Sequence, residues 1–354
     1  MNGSSLPLES VRNFVPNLSH IPDAALVQVG ESGPGRILQG SNQASRTLEM
    51  GLCAGVTSRE NRDMRRCLTP DSRIRSALQK ETHADANLCW TCSTCDSECP
   101  ISRATNRLRP QKIVRMANLG FLDDLLTLPE IWYCLTCRRC HDVCPNSVKA
   151  CTIIEFLRKE AIRRKVVSWD AFSRYKRFVA RFQRVRWHAV QHCLRSRTEP
   201  ISPEIWNRWL ETPSDASRSE IRLTELSPSQ VFRSAAGNAR TPSCLTCGEC
   251  SSFCPVFSER SVFDPQWIFR MVNLGMEDEI LRSPSIWLCI GCQRCTEACG
   301  EQVTGHLVIQ RLQEQALKEG VVDHAFPFRW KAAQKAIYTP FINRINSILG
   351  FPQG

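Results

Sequence analysis

Long apolar runs are absent from this sequence. No stretch of its 354 residues reaches the roughly eighteen uncharged apolar residues that a membrane-spanning helix needs, so no transmembrane helix is expected. The first thirty residues contain neither a basic leader nor a continuous apolar segment, which argues against a secretory signal peptide. There is also no G-x-G-x-x-G dinucleotide fingerprint and no P-loop, so a dinucleotide- or triphosphate-binding enzyme is not indicated.

Cysteine is the residue type whose abundance is unusual. The chain is 42% hydrophobic and 23% charged, as ordinary globular proteins are, yet it contains 20 cysteines. A secreted disulfide scaffold with this many cysteines would be far shorter and would follow a signal peptide. We therefore expect a cytoplasmic protein whose thiols bind metal.

Sixteen of the cysteines fall in four segments of similar sequence. These segments are CWTCSTCDSECP from residue 89, CLTCRRCHDVCP from 134, CLTCGECSSFCP from 244 and CIGCQRCTEACG from 289. Their spacing, C-x2-C-x2-C-x3-C, is that of ferredoxins that hold two [4Fe–4S] clusters. Structural zinc is the alternative, but a zinc ribbon pairs two C-x2-C knuckles around one ion and would leave too many thiols unused.

The spacing also predicts how the ligands are shared. The first three cysteines of a segment wrap around one cluster, and the fourth ligates the cluster of the paired segment. Four [4Fe–4S] clusters are therefore expected. Their predicted ligands are Cys89, Cys92, Cys95 and Cys144; Cys134, Cys137, Cys140 and Cys99; Cys244, Cys247, Cys250 and Cys299; and Cys289, Cys292, Cys295 and Cys254.

The cysteine segments belong to a module that occurs twice. An offset of 155 residues relates Cys89 to Cys244 and Cys134 to Cys289, and it also relates PQKIVRMANLG at 110–120 to PQWIFRMVNLG at 265–275. Such a constant offset indicates one ancestral module present in two copies. The segments between the cysteines read as helices and loops without strand alternation, starting at prolines and ending at glycines. The predicted fold is mainly α, with two tandem dicluster ferredoxin domains.

The remaining segments complete the predicted domain organisation. We expect a flexible N-terminal extension at 1–57, dicluster domains at 58–165 and 237–320, a basic helical connector at 166–236 and a C-terminal docking tail at 321–354. The connector region accounts for the net charge of the chain. Residues 158–197 contain thirteen Lys or Arg and two acidic residues, and the difference of +11 equals the net charge of the whole chain. The apolar residues of the connector recur at helical spacing, which suits packing on its own protein, docking on an acidic partner or lying on a membrane surface.

The combined motifs resemble the C subunit of heterodisulfide reductase. The resemblance is carried by the cysteine segments, by PQKIVRMANLG and by the I-W-x-C approach to the second segment, and it covers about 85–165 and, more loosely, 240–320. It implies the α-helical ferredoxin fold and a non-catalytic role in relaying electrons between a flavin-containing subunit and a partner with cysteine-rich CCG motifs. Similar subunits occur in methanogen complexes and in bacterial assemblies for sulfur oxidation or flavoprotein electron transfer. This chain departs from that family by carrying the module twice.

Two other functions are weighed against electron relay. Cys299 is followed by Gly300, whereas the other three segments end in proline. The first alternative is therefore a reductase that acts directly on a disulfide or sulfur substrate at an atypical cluster. The basic connector raises a nucleic-acid-binding protein with structural clusters, although its aromatic residues lie on the apolar side of the helix. Four further cysteines, Cys53, Cys67, Cys151 and Cys193, are expected to be ordinary semi-buried thiols.

Overall fold

The protein is described by a computed structural model that covers residues 70–195, 199–214, 240–257 and 262–352. The chain divides into two units, 1–65 and 66–354, and the described residues all belong to the second. They form helices joined by loops and contain no strand, so the predicted mainly α fold is confirmed. No helix among them has the length and apolar character to cross a membrane. The expected N-terminal extension at 1–57 lies outside the described residues.

The first module is built from eight α-helices around its two cysteine segments. They are α1 (Ser72–Thr82), α2 (Thr94–Glu98), α3 (Pro100–Thr105), α4 (Pro110–Leu119), α5 (Leu122–Leu126), α6 (Glu130–Tyr133), α7 (Arg139–Asp142) and α8 (Ala150–Arg163). A short 3-10 turn at Ala86–Leu88 leads into the first segment. Buried side chains of α4, α5, α6 and α8 form much of the module's core.

Among the described residues, two helices lie between the modules, and the second module repeats five of the helices of the first. The connecting helices are α9 (Trp169–Leu194) and α10 (Pro203–Glu211). The second module contains α11 (Glu249–Ser252), α12 (Pro265–Asn273), α13 (Glu277–Leu281), α14 (Arg294–Glu297) and α15 (Gly305–Lys318), with 3-10 turns at Thr241–Ser243 and Pro284–Leu288. The chain then forms α16 (Phe326–Leu349).

The predicted helix boundaries have clear local causes. Pro110 and Pro265 stand in the first turn of α4 and α12, where a missing N–H costs no hydrogen bond. Gly120 ends α4 in the left-handed conformation, with φ of 77°. A Cβ on Gly120 would lie 2.1 Å from the carbonyl oxygen of Asp71, so this turn requires glycine for both its conformation and its space.

The connector helix α9 lies inside the structure and touches both modules. Phe178 and Phe182 on its apolar face are buried, as its helical periodicity suggests. The Tyr175 hydroxyl donates a hydrogen bond of 2.9 Å to the carbonyl of Trp132 in the first module. Arg186, which is 1% exposed, donates one of 2.6 Å to the carbonyl of Leu288 in the second. Packing on its own protein is therefore the role that the contacts of α9 describe.

Most of the segment expected to be a C-terminal docking tail forms one long helix. Helix α16 has 24 residues, and most of its apolar side chains are buried within this chain. Phe341 stacks on Phe182 of α9 with ring centroids 4.1 Å apart, and Asn346 accepts a hydrogen bond of 2.8 Å from Tyr133. These partners are far away in the sequence, so periodicity alone could not reveal that the apolar face of this tail is already covered.

Candidate metal centres

All four cysteine segments follow one backbone path. In each, the residues immediately before and after the second cysteine have positive φ, between 54° and 89°. Most L-residues avoid this left-handed region, so eight such residues at matching positions mark an imposed loop geometry. The residues are Thr91 and Ser93, Thr136 and Arg138, Thr246 and Gly248, and Gly291 and Gln293.

The loop path turns backbone N–H groups toward the cysteine sulfurs. Thr136 donates its N–H to Sγ of Cys134 over 3.3 Å, and Gly291, the equivalent residue of the second module, does the same to Cys289. Val303 donates to Sγ of Cys299 over 3.4 Å. Concave backbone turns with N–H groups directed inward are typical binding sites for anions and iron–sulfur groups.

In the first module, two cavities separate the cysteines into two sets. One cavity is lined by Cys89, Cys92, Cys95 and Cys144, and Cys140 also reaches it. The other is lined by Cys99, Cys134, Cys137, Cys140 and Cys151. We call Cys89, Cys92, Cys95 and Cys144 the outer set, and the segment from residue 89 the outer loop. Cys99, Cys134, Cys137 and Cys140 are the inner set, and the segment from residue 134 is the inner loop.

In the second module, the charges that act on each thiol describe the same arrangement. Burial first, and then the charges of Cys289, Cys292, Cys254 and Cys250, raise the pKa of Cys295. Burial raises the pKa of Cys250 to about 11, and Cys244 adds to this effect. Cys289, Cys292, Cys295 and Cys254 therefore lie together as an inner set, and the 155-residue offset puts Cys247 and Cys299 at the positions of Cys92 and Cys144. Within the described residues, no three His, Cys, Asp or Glu side chains close around a single ion.

Burial raises the pKa of several thiols in these sets. It is the largest cause of a pKa of about 12 at Cys95, at Cys99 and at Cys137. A thiolate is the form that ligates iron, so binding must displace these protons. Four converging cysteines and inward N–H groups per cavity make a donor set that fits a [4Fe–4S] cluster.

The outer and inner loops differ in their exposure to solvent. The second cysteine of each outer loop, Cys92 or Cys247, is exposed. The second cysteine of each inner loop is buried, because Cys137 is 8% exposed and Cys292 is 7% exposed. Loops of the same sequence pattern and backbone path therefore occupy two different environments.

Helix side chains hold the loops in place at equivalent positions of the two modules. Gln111 and Gln266 each donate a side-chain N–H to the loop carbonyl of Thr91 or Thr246. On the other side of the first module, Arg158 of α8 donates to the carbonyls of Ile131, over 2.7 Å, and of Cys134, over 2.5 Å. These anchors were not predicted from the sequence, although repetition at the 155-residue offset could have indicated Gln111 and Gln266.

The cysteines outside the four segments are more buried than the sequence suggests. Cys151 is 1% exposed and Cys193 is 2% exposed, and Cys53 and Cys67 lie outside the described residues. The interaction of Cys151 with Cys134 lowers the pKa of Cys151, but its interaction with Cys140 and its burial raise that pKa to about 12. It therefore lines the inner cavity of the first module, where His306 takes the equivalent position in the second.

Gly300 has an ordinary environment. The residue is exposed, and a Cβ built on it would meet no atom within 4 Å. Neither a close approach nor a left-handed conformation requires glycine at this position. The described geometry thus provides no feature that distinguishes the site of Cys299 as a catalytic one.

Comparison with protein families agrees with this geometry. The family described as 4Fe-4S dicluster domain matches at residues 85–148, and a second family of the same description matches at residues 222–304. The chain contains two 4Fe-4S dicluster domains. Each match includes an outer loop and an inner loop of one module, so the dicluster domains coincide with the repeated modules.

The dicluster domains also resemble those of characterised proteins. The chain is 37% identical over 75 residues to the C subunit of the H(2):CoB-CoM heterodisulfide,ferredoxin reductase of Methanothermobacter thermautotrophicus, which is 21% of this chain and 40% of that protein. It is 43% identical over 76 residues to the iron-sulfur C 2 subunit of the CoB--CoM heterodisulfide reductase of Methanocaldococcus jannaschii, covering 22% and 40%. For the iron-sulfur C subunit of the Methanopyrus kandleri reductase the identity is 29% over 132 residues, covering 37% and 61%. The matched region is thus less than two thirds of each relative, and the resemblance to the C subunit of heterodisulfide reductase is confirmed.

Proposed function

We propose that this protein is a non-catalytic electron-transfer subunit of a heterodisulfide-reductase-like complex and that it holds four [4Fe–4S] clusters. The four ligand sets are the two inner and two outer sets defined above. A bound cluster of this kind accepts and returns one electron at a time. The chain's own residues would supply the ligands, the N–H donors and the covering side chains.

The observation that carries the proposal is the repeated loop geometry. Four loops share eight left-handed residues at matching positions, and in the inner loops two of these residues, Thr136 and Gly291, donate their N–H groups to sulfur. Hydrogen bonds to ligand sulfurs and the exclusion of water both set how readily a cluster accepts an electron. The chain supplies both, since the inner loops are buried while the outer loops remain accessible at Cys92 and Cys247.

The expected partners follow from the relatives and from the accessible outer loops. The relatives are named as subunits of heterodisulfide reductases, so a complex with other subunits is the natural setting. We propose a flavin-containing subunit as one neighbour and a CCG-type or similar subunit as the other, in a methanogen-type or bacterial assembly. A cytoplasmic location suits thiols that must stay reduced in order to bind iron.

Iron and sulfide analysis of the anaerobically purified chain tests the proposal. Four clusters of four atoms, 4 × 4, give about sixteen iron and about sixteen acid-labile sulfide per chain. Replacing Cys137 with Ala should remove about four of each and simplify the electron paramagnetic resonance (EPR) spectrum of the reduced protein. The matched control is Cys193→Ala, because Cys193 is also buried but lies outside the four sets. A colourless preparation with two to four zinc ions per chain would contradict the proposal.

A further inference from the structure

We infer that the two modules form one continuous electron path, in which the inner loops face each other and Arg139 and Arg294 align them. This inference rests on the proposed function and adds to it the internal order of the path: outer set, inner set, inner set, outer set. Each electron taken from the reduced flavin of one partner leaves at the far outer set to the oxidised cysteine-rich partner, and no atom is transferred.

The two inner loops exchange hydrogen bonds in a reciprocal way. Arg139 donates from Nη1 to the carbonyls of Ile290, over 3.2 Å, and Gly291, over 3.1 Å. Arg294, which is Arg139 plus 155, donates from Nη1 to the carbonyl of Thr136 over 3.0 Å. Thr136 is in turn the equivalent of Gly291. Such reciprocity is the property of an interface with two-fold symmetry, here formed inside one chain.

Each arginine also reaches the residue that directly precedes the second cysteine of the opposite inner loop. Arg139 bonds to Gly291, which precedes Cys292, and Arg294 bonds to Thr136, which precedes Cys137. These pairs of residues differ by 155 positions, as pairs related by a two-fold axis do. Cys137 and Cys292 therefore flank the contact between the two inner loops.

The contact explains why only the inner loops are buried. Cys137 and Cys292 are covered, whereas Cys92 and Cys247 occupy the same loop position in the outer loops and are exposed. The structure therefore leaves two accessible ends, and it joins the two inner sets at the centre. A chain that served two partners by separate paths would have no need for this contact between its inner loops.

The two arginines are held by residues at equivalent positions but with different chemistry. Arg139 forms an ion pair with Glu98, the residue before Cys99. Arg294 lies over the ring of Phe253, the residue before Cys254, with 5.6 Å from Cζ to the ring centroid. Each arginine thus ties the last ligand of an inner set to the opposite module. Phe253 offers Arg294 an aromatic ring where Glu98 offers Arg139 a carboxylate. The junction is therefore chemically asymmetric.

The positioning role of the arginines can be tested by EPR on the full chain without its outer clusters. The variant Cys92→Ala/Cys247→Ala should retain about eight iron atoms, two clusters of four. Its reduced form should show a magnetic interaction spectrum, because the remaining inner clusters face each other across the junction. Adding Arg139→Gln/Arg294→Gln should abolish this interaction while the iron content stays unchanged. Arg139→Lys/Arg294→Lys should restore part of it by returning a donor and a charge.

Arg115 and Arg270 provide the matched control. They are also related by 155 residues and are exposed, so Arg115→Gln/Arg270→Gln should leave the interaction spectrum unchanged. Two independent cluster signals in Cys92→Ala/Cys247→Ala with full iron would overturn the inference but not the proposed function. Loss of iron on substitution of Arg139 and Arg294 would also overturn it, since the arginines would then serve folding rather than alignment. Absence of iron–sulfur absorbance in the unsubstituted chain would remove the proposed function itself.

The four-cluster chain provides a second measurement that does not depend on the cysteine variants. In a stepwise reductive titration, the unsubstituted protein should develop interaction signals that include both modules. Arg139→Gln/Arg294→Gln should reduce the spectrum to the sum of two separate modules. An unchanged spectrum in this variant would show that the arginines do not align the inner sets.

Discussion

At the residue scale, the cysteine spacing predicts the candidate ligands but not the curvature of their loops. Of the eight left-handed residues, only Gly248 and Gly291 are glycines, and the others include Thr136 and Arg138. A left-handed conformation costs non-glycine residues about 1–2 kcal/mol each. The residue types at these positions therefore do not predict this conformation. Strain of this kind persists where the surrounding structure or a ligand compensates for it, and a sequence pattern does not report that compensation.

Cys151 should tune the inner cluster of the first module. Once iron has deprotonated Cys134 and Cys140, the thiol of Cys151 keeps its proton and becomes a hydrogen-bond donor to a ligand sulfur. Cys151→Ala should therefore lower the reduction potential of one cluster. A hydrogen bond of about 1 kcal/mol corresponds to roughly 40 mV for a one-electron couple. Because S–H is a weak donor, this value is the upper limit of the expected shift in reduction potential.

Potentiometric titration followed by EPR measures the effect of Cys151. Cys151→Ser, which offers a stronger O–H donor, should shift the same cluster in the opposite direction from Cys151→Ala. Iron content should remain at about sixteen atoms in both, from four clusters of four. A loss of about four iron atoms in Cys151→Ala would instead make Cys151 a ligand.

Gly305 and Phe269 should behave as a packing pair. A Cβ on Gly305 would lie 2.3 Å from the Phe269 ring and 3.0 Å from Sγ of Cys295. The first module has Ala150 and Val114 at the same positions, a larger residue opposite a smaller one. Gly305→Ala should lower the free energy of unfolding by about 1–3 kcal/mol through overpacking, and Gly305→Ala/Phe269→Val should recover much of that loss.

Anaerobic denaturant titration of the loaded protein measures the loss and recovery. Ala150→Gly is the control in the first module, where it opens space and should cost no more than about 1 kcal/mol. Equal stability of the single and double variants of the second module would mean that the Phe269 ring does not limit the space at Gly305.

At the element scale, local sequence signals predict where helices begin and end. They do not predict which residues pack on the apolar face of each helix. Pro110 and Pro265 begin helices where first-turn prolines belong, and Gly120 ends one. The tail at 326–349 also has apolar residues, but Pro340 interrupts the pattern and the partners, Phe178 and Phe182, precede it by about 160 residues. Periodicity indicates that a face will be covered, and only the tertiary structure identifies the covering residues.

Phe341 and Phe328 separate the structural role of α16 from a docking role. Phe341 is 1% exposed against α9, and Phe328 of the same helix is 77% exposed. Phe341→Ala should lower the free energy of unfolding by about 3–5 kcal/mol, because it leaves a cavity in the aromatic core. Phe328→Ala should stay within about 0.5 kcal/mol of the parent protein.

Thermal denaturation under anaerobic conditions compares these two variants. Similar stability of both would show that α16 is not held by the aromatic core. Weaker partner binding by Phe328→Ala at unchanged stability would give the exposed side of α16 the docking role expected of the tail.

At the scale of the whole molecule, iron removal should make stability sensitive to alkaline pH. In the folded chain without iron, burial raises the pKa of Cys95, Cys99 and Cys137 to about 12, above the ordinary value of 9.0. Below pH 9 both states keep these protons, so the stability contribution is fully present. Between pH 9 and 12 the unfolded state ionises first, and the free energy of unfolding must fall.

Circular dichroism of chelated and loaded protein tests this sign. The chelated chain should lose helical signal as the pH rises from 9 to 12, whereas the loaded chain, with its thiolates already bound to iron, should change less. A chelated chain whose helicity is constant or rises over that range would contradict the burial of these thiols.

The two exposed ends of the molecule should serve different partners. Trp90 is 73% exposed beside Cys92, and Leu245, its equivalent, is 70% exposed beside Cys247. An aromatic anchor and an aliphatic one select different pockets, and tryptophan is the stronger interface residue. Trp90→Ala should weaken binding to one partner subunit about tenfold, which is about 1.4 kcal/mol, without changing the other.

Titration of each isolated partner subunit against the loaded chain resolves the two ends. Leu245→Ala should weaken binding of the other partner only, and neither variant should change iron content, because both side chains are largely exposed to solvent and neither is a ligand. If both substitutions weakened the same partner, the two outer sets would lie on one docking surface, and a path that enters at one end and leaves at the other could not operate. Partner-selective losses are the outcome that a single path through the central junction requires.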